Sequence, residues 1–209
     1  MDALSDFGGT PGNGYQDYYN RRLDKAVSPL DITHNVTFNF IYDLPLGPGR
    51  RWFTSGVAGQ ILGGWQLSTL AVLLSGPVYG VTTQQNTTEA ASAGPQRANI
   101  LRDPALPAGQ RSPQRWFDTA AFEQPPRFHF GTAARSVGRA PGTANFDIGI
   151  MKNFSLRERF RIQFRGELFN AFNRVNFGIP ATTFGSPQFG AVSSAKAARV
   201  SQLGLKLYF

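Results

Sequence analysis

The 209-residue chain contains no cysteine, only two histidines and two methionines, and four lysines against 17 arginines. Without cysteine there is no disulfide framework, no thiolate metal site and no cysteine nucleophile, and the redox compartment stays open. His34 and His129 stand far apart in the chain and offer no ligand spacing, so neither is assigned a metal or catalytic role. Long apolar runs are also missing. The longest uncharged stretch, Trp52 to Thr88, is broken by Gly59, Gln60, Gly63, Gly64, Gln66, Gly76 and Pro77, whereas a spanning helix needs ~20 apolar residues. Met1 to Gly14 carries Asp2 and Asp6 and has no apolar core of signal-peptide length, so an exported protein is expected to carry its leader upstream of Met1.

Acidic residues are the scarcer sign, 13 against 21 Lys and Arg, for a net charge of +8. By itself this suggests an anionic partner. Hydrophobic residues make up 41% of the chain, enough for a core, and 23 glycines, 14 prolines and 18 phenylalanines favour strands and turns over helices.

Strand periodicity is the dominant signal. From Ile32 to Leu44 the even positions read Ile32, His34, Val36, Phe38, Phe40, Tyr42 and Leu44, against Thr33, Asn35, Thr37, Asn39, Ile41 and Asp43. Alternation of this kind places the two sets on opposite faces of a strand. It stops at Pro45-Leu46-Gly47-Pro48-Gly49, which lacks amide donors and must turn. A more apolar strand is expected over 64–74, where Gln66 and Ser68 share a face with Leu70, Val72 and Leu74.

Residues 77–141 show no sustained period and read as a long connection. Strands are then expected over 145–156, with Phe146, Ile148, Ile150, Phe154 and Leu156 alternating and Lys152 as the exception, and over 160–172. In the latter, Phe160, Ile162, Phe164, Gly166 and Leu168 alternate with Arg161, Gln163, Arg165 and Glu167. The polar link Arg157-Glu158-Arg159 separates these two. After a second long connection, 176–198, a fifth strand spans 200–209, with Ser201, Leu203, Leu205, Leu207 and Phe209 on one face.

Alternation alone fits a soluble β-sandwich as well. Strand and connection lengths discriminate. Three strands reach about ten residues, longer than the usual 5–6 of soluble strands and matching the roughly 9–11 of a tilted transmembrane strand. The connections alternate short, long, short, long, as in barrels with short periplasmic turns and long outer loops. The sequence therefore predicts an all-β fold, an antiparallel transmembrane outer-membrane β-barrel. The 77–141 and 176–198 connections lie outside, and Phe209 lies at the periplasmic rim. Phe160, Ile162, Phe164, Leu168, Leu203 and Leu205 are expected to face lipid, and Arg161, Gln163, Arg165 and Glu167 to form a polar ladder on the lumen. Five strands are odd in number and too few to close, so the chain is expected to supply about the last five strands of a larger barrel.

Other chemistry is weak. Asp17, Asp24, Asp31, Asp103, Asp118 and Glu123 lack calcium-loop spacing and read as solvated loop carboxylates. Gly56, Gly59, Gly63 and Gly64 lack the Lys-Ser/Thr ending of a phosphate loop and read as a turn leading into a strand. No Gly-x-Ser-x-Gly elbow occurs. No enzymatic activity, cofactor or metal is expected. Nucleic-acid binding is disfavoured, because strand geometry puts the phenylalanines of 160–168 opposite Arg161 and Arg165, whereas stacking platforms share the basic face.

The last eight residues, Gln202-Leu203-Gly204-Leu205-Lys206-Leu207-Tyr208-Phe209, resemble the β-signal of outer-membrane proteins, which implies recognition by the barrel-assembly machinery through Gln202, Gly204, Leu207 and Phe209. More of the chain resembles the end of a TonB-dependent receptor, in particular the Oar-like group. The similarity rests on Asp31-Ile32-Thr33-His34, Ile61-Leu62-Gly63-Gly64-Trp65-Gln66, Arg115-Trp116-Phe117-Asp118-Thr119-Ala120-Ala121-Phe122 and Phe164-Arg165-Gly166-Glu167-Leu168-Phe169-Asn170-Ala171-Phe172-Asn173. It implies a Gram-negative outer-membrane location, contact with membrane lipid, and energy-coupled uptake of a large substrate, with TonB engaged only through an N-terminal part not in this chain. Residues 1–30, including Gly8-Gly9-Thr10 and Gly12-Asn13-Gly14, look like the tail of a preceding outer loop. An adhesion or protein-export role of the Oar type, and a soluble secreted β-sandwich, are the alternatives.

Overall fold

A computed structural model describes residues 16–17, 19–89, 96–157 and 160–209, with backbone alone at 155–157. The expectations for residues 1–14, for the Leu156 side chain and for the Glu158-Arg159 link lie outside the described residues. The alternating segments form five strands: β1 (Asn35–Asp43), β2 (Trp65–Leu74), β3 (Thr143–Arg157), β4 (Phe160–Phe169) and β5 (Val200–Tyr208). They pair antiparallel in chain order to make one open sheet. Each strand thus neighbours its successor, the arrangement that up-and-down barrels use.

Two strand boundaries differ from the sequence expectation by three residues or more, the others by two at most. β1 starts at Asn35 and not at 31, because Asp31 is engaged elsewhere: its carboxylate accepts from the Arg139 guanidinium and from the Thr33 hydroxyl. β4 ends at Phe169 and not at 172. Asn170 takes φ +49°, its amide donates to Asp147 Oδ1 at 2.9 Å, and Asn173 N closes a turn onto its carbonyl at 2.7 Å. Asparagine accepts this left-handed geometry at low cost.

The β1–β2 connection is more than a turn. Gly47 N donates to Trp52 O at 2.8 Å and Trp52 N to Pro45 O at 3.2 Å, closing a small loop through a parallel bridge between Leu46 and Trp52. A seven-residue helix, α1 (Gly56–Leu62), follows where a turn leading into a strand was expected. Glycine is required where these pieces meet: a Cβ on Gly63 would lie 2.5 Å from the Gly47 Cα and 2.4 Å from the Gly59 carbonyl oxygen. Glycines placed for close approach disguise the helix in the sequence.

The two long connections also fold. Residues up to Thr33, Ser75–Gly142 and Phe177–Ala195 form one compact unit, and the sheet with α1 forms the other. The loop unit has its own core of Tyr79, Val81, Ala98, Phe117, Ala121, Phe122, Ala133 and Ala140, with Trp116, Phe184 and Phe189 packed against it. Phe117 is central, 5.3 Å from Tyr79, 5.8 Å from Phe122 and 5.2 Å from Phe189, ring centroid to centroid. Burial pushes the Tyr79 hydroxyl up to about 12. Trp116 N donates to Gly190 O and Val192 N to Pro113 O, so the second long connection is tied to the first. The 77–141 connection thus carries local structure of its own. Its strands are two residues long, too short to print a period.

The N-terminal segment belongs to this unit. Gln16 donates from Nε2 to Gly131 O at 2.8 Å and accepts from Arg97 N at 2.9 Å. Asp24 and Arg97 form a buried ion pair at 2.8 Å. Burial lowers the proton affinity of Arg97, and Asp24 counters that pull.

Asp118 caps the short turn Thr119–Ala121, accepting from Ala120 N, and receives Arg102 at 2.7 Å and Arg115 at 2.9 Å. The Arg102 bond above all holds its carboxyl below the usual carboxylate range. A depressed folded-state value stabilises above the unfolded pKa of about 3.9 and is lost as pH falls through the folded value. Hydrogen exchange across 99–123 is therefore expected to be slow above pH ~4 and to accelerate below it. Asp118→Ala is expected to remove this acid dependence and cost about 1 kcal/mol, the usual worth of an aspartate cap. An unchanged acid profile in Asp118→Ala would rule the account out.

Candidate functional site

Pairing register assigns every sheet residue to a face, since directly opposite residues point the same way. One face carries Val36, Phe38, Phe40 and Tyr42 of β1, Leu67, Thr69, Ala71 and Leu73 of β2, Phe146, Ile148 and Ile150 of β3, Ile162, Phe164 and Leu168 of β4, and Leu203, Leu205 and Leu207 of β5. Phe160 falls on it by alternation. The six residues expected to face lipid all lie here. The register also settles β2, whose sequence left the outer face open: the odd positions join the apolar face.

This apolar face is exposed. Leu203 and Leu205 are 78% and 74% accessible, and every residue of β1 is exposed. A soluble sandwich would bury such a face against a second sheet, and among the described residues the other sheets are pairs of two-residue strands. Aromatic rings line it in rows, with Phe38, Phe40 and Tyr42 stacked at 6.3 and 6.0 Å and Trp65 edge-on to Phe164 at 5.9 Å.

The opposite face is polar and internally paired along β3, β4 and β5, with an aliphatic patch of Leu70, Val72 and Leu74 on β2. Arg161, Gln163, Arg165 and Glu167 lie along β4, with Lys206, Gly204 and Gln202 beside them on β5. Arg165 reaches Glu167 at 3.4 Å, Gln163 donates to Asn153 at 3.0 Å, and Gln66 donates to Asp43 at 2.9 Å. The Arg161 guanidinium sits 4.5 Å from the Tyr208 ring, and the Lys206 ammonium 5.0 Å from it.

Among the described residues Lys152 is the one cation on the apolar face, and it is buried. Its ammonium donates to the carbonyls of Gln60 and Ile61 at the C-terminal end of α1, at 2.6 and 2.5 Å, and lies 4.5 Å from the Phe154 ring. A helix C-terminus presents unpaired carbonyls and a partial negative charge. The exception noted in the sequence is thus the anchor for α1, a role invisible without the fold.

Of the C-terminal signal residues, Gln202 and Gly204 fall on the polar face and Leu207 on the apolar one, with Phe209 just beyond β5 and largely exposed. Gly204 is not required by packing: a Cβ there would meet only Arg165, at an ordinary 3.8 Å. The loop carboxylates have protein partners. Asp24 pairs with Arg97 and Asp31 with Arg139, Asp118 pairs with two arginines, and Glu123 accepts from Asn99. Asp17 and Asp103 accept from nearby backbone amides. His129 lies in the loop unit with Nδ1 at 2.9 Å from Arg127 O, and no helix among the described residues is long and apolar enough to cross a membrane.

A family model described as an outer membrane beta barrel domain matches residues 1–202. Neither the comparison with curated proteins nor that with solved structures gives a match.

Proposed function

From the premise that the chain belongs to the outer membrane beta barrel domain family and lies in the outer membrane of a Gram-negative bacterium, we propose that it forms part of the wall of a TonB-dependent receptor. In this reading the apolar face meets lipid and the polar face lines a lumen through which a large substrate passes. The single observation that carries the reading is the segregation of the two faces on β1, β3, β4 and β5, with β2 apolar on both. The barrel wall needs it because an exposed arginine on lipid costs about 2–4 kcal/mol at mid-bilayer.

The receptor assignment is supported by the placement of the segments that resemble that family. Trp116, Phe117 and Phe122 of the loop segment lie in or against the core of the loop unit, and Phe164 to Asn173 supplies most of β4 and the turn after it. The connections that leave the sheet at Leu74 and Phe169 are on one end, which this reading places outside; the β1–β2 connection is then periplasmic. Among the described residues β1 and β5 each have an unpaired edge. Backbone groups cannot stay unpaired in hydrocarbon, so further strands adjoin both. The terminal segment with Gln202, Gly204, Leu207 and Phe209 is proposed to engage the barrel-assembly machinery. The absence of a packing reason for Gly204 favours recognition as its role.

Deletion of the gene is expected to give a growth defect confined to one nutrient, reproduced by loss of TonB. A folded outer loop unit also suits surface attachment, so adhesion is the second reading. Loss of attachment with uptake intact would replace transport by adhesion, and a phenotype independent of TonB would remove energy coupling.

A further inference from the structure

The β1–β2 connection carries an unpartnered apolar surface of its own. Residues 44–64 contain no acidic residue and two arginines, Arg50 and Arg51. Val57 and Ile61, one turn apart on α1, are 71% and 58% exposed, and Trp52 and Phe53 beside them are exposed as well. The Arg51 guanidinium lies 5.2 Å from the Trp52 ring.

The position of α1 follows from its C-terminus. Lys152, on the apolar face of β3, donates to Gln60 O and Ile61 O, and the indole of Trp65, directly opposite Lys152 on the same face, donates to Ile61 O at 3.1 Å. The last turn of the helix therefore rests against the apolar face of the sheet and not against the polar one. Covering that face there, α1 turns Val57 and Ile61 away to whatever adjoins the face.

We propose that this connection is a membrane foot. It lies in the headgroup and acyl boundary of the inner leaflet, with Val57, Ile61, Trp52 and Phe53 in the apolar zone and Arg51 toward lipid phosphates, while Arg50 is held 3.5 Å from Asp43 of the polar face. The proposal rests on the outer-membrane reading above, in which the face beside α1 is the lipid face. Continuity with that face selects lipid as the occupant. The composition agrees: aromatic and basic side chains are what membrane interfaces and interfacial helices collect, and anionic headgroups attract an exposed arginine such as Arg51. Lys152 completes the arrangement by satisfying the helix carbonyls that would otherwise meet hydrocarbon.

This chain brings no cysteine of its own to compete with an introduced label, and any cysteine elsewhere in the parent protein is first replaced by serine. In the full-length natural protein carrying this chain, Ile61→Cys and, separately, Val57→Cys are labelled with a nitroxide and reconstituted in phosphatidylethanolamine–phosphatidylglycerol vesicles. Leu205→Cys on the apolar face of β5 and Gln202→Cys on its polar face serve as references. Collision with oxygen is expected to exceed collision with a water-soluble nickel chelate several-fold at Ile61, Val57 and Leu205, and the reverse is expected at Gln202. Nickel dominance at Ile61 and Val57 with oxygen dominance at Leu205 would overturn the foot and leave the barrel standing. Low collision with both reagents at Ile61 and Val57 would mean a protein cover, and would overturn it too. Nickel dominance at Leu205 would instead sink the barrel reading on which the proposal depends.

Discussion

Ile150→Arg is expected to abolish assembly of the protein in the outer membrane, while Leu70→Arg leaves it near wild type. The two aliphatic side chains are almost equally exposed, at 43% and 40%, and sit on neighbouring strands. They differ in face. Ile150 lies opposite Leu67 on one side and Gly166 on the other, in the middle of the apolar face. An arginine there meets lipid on every side and costs about 2–4 kcal/mol. Leu70 lies opposite Asn39 and Asp147 on the polar face, where an added guanidinium gains a carboxylate neighbour. Heat-modifiable migration of the protein from outer-membrane fractions reads the difference, as the ratio of folded to unfolded bands. If the two variants assemble equally well, or fail equally, the assignment of faces to lipid and lumen is wrong.

The second large effect is expected in the loop unit. Phe117 is 1% exposed, and its ring packs between those of Tyr79, Phe122 and Phe189. Phe117→Ala removes three ring contacts and leaves a cavity, a change that costs about 3–5 kcal/mol in a well-packed core. A small core cannot absorb this. Limited proteolysis of the purified protein is expected to cut within 75–142 and 177–195 much faster in this variant, while heat-modifiability of the sheet persists. Phe117→Leu keeps most of the volume and should cost well under half as much. Simultaneous loss of the sheet would show that the two units fold as one. Unchanged proteolysis would show that the aromatic cluster does not hold the loop unit together. In the transport reading, this variant also tests whether substrate recognition needs the folded outer unit.

The sequence determined the sheet. Strands of about ten residues print a period of two over many positions, so Val36 to Tyr42 or Phe160 to Leu168 announce their faces without any neighbour. Polar loops and glycine- or proline-rich turns mark where each strand stops. The polar ladder Arg161, Gln163, Arg165 and Glu167 was legible for the same reason. β2 was legible as a strand but not as a face, because Leu67 to Leu74 is apolar at most positions; only its register with β1 and β3 resolved it.

The loop unit and the position of α1 were decided by tertiary structure alone. Phe117, Tyr79 and Phe189 are scattered over more than a hundred residues, and their meeting is a long-range event that no local pattern encodes. Lys152 reads in sequence as a flaw in an apolar face; it became an anchor only when the fold brought the end of α1 within reach of its ammonium. Periodicity records what each residue's own strand does with solvent, lipid and pleat, whereas a core assembled from isolated side chains and a charge met by a distant helix end depend on closure of long loops, and that information exists only in three dimensions.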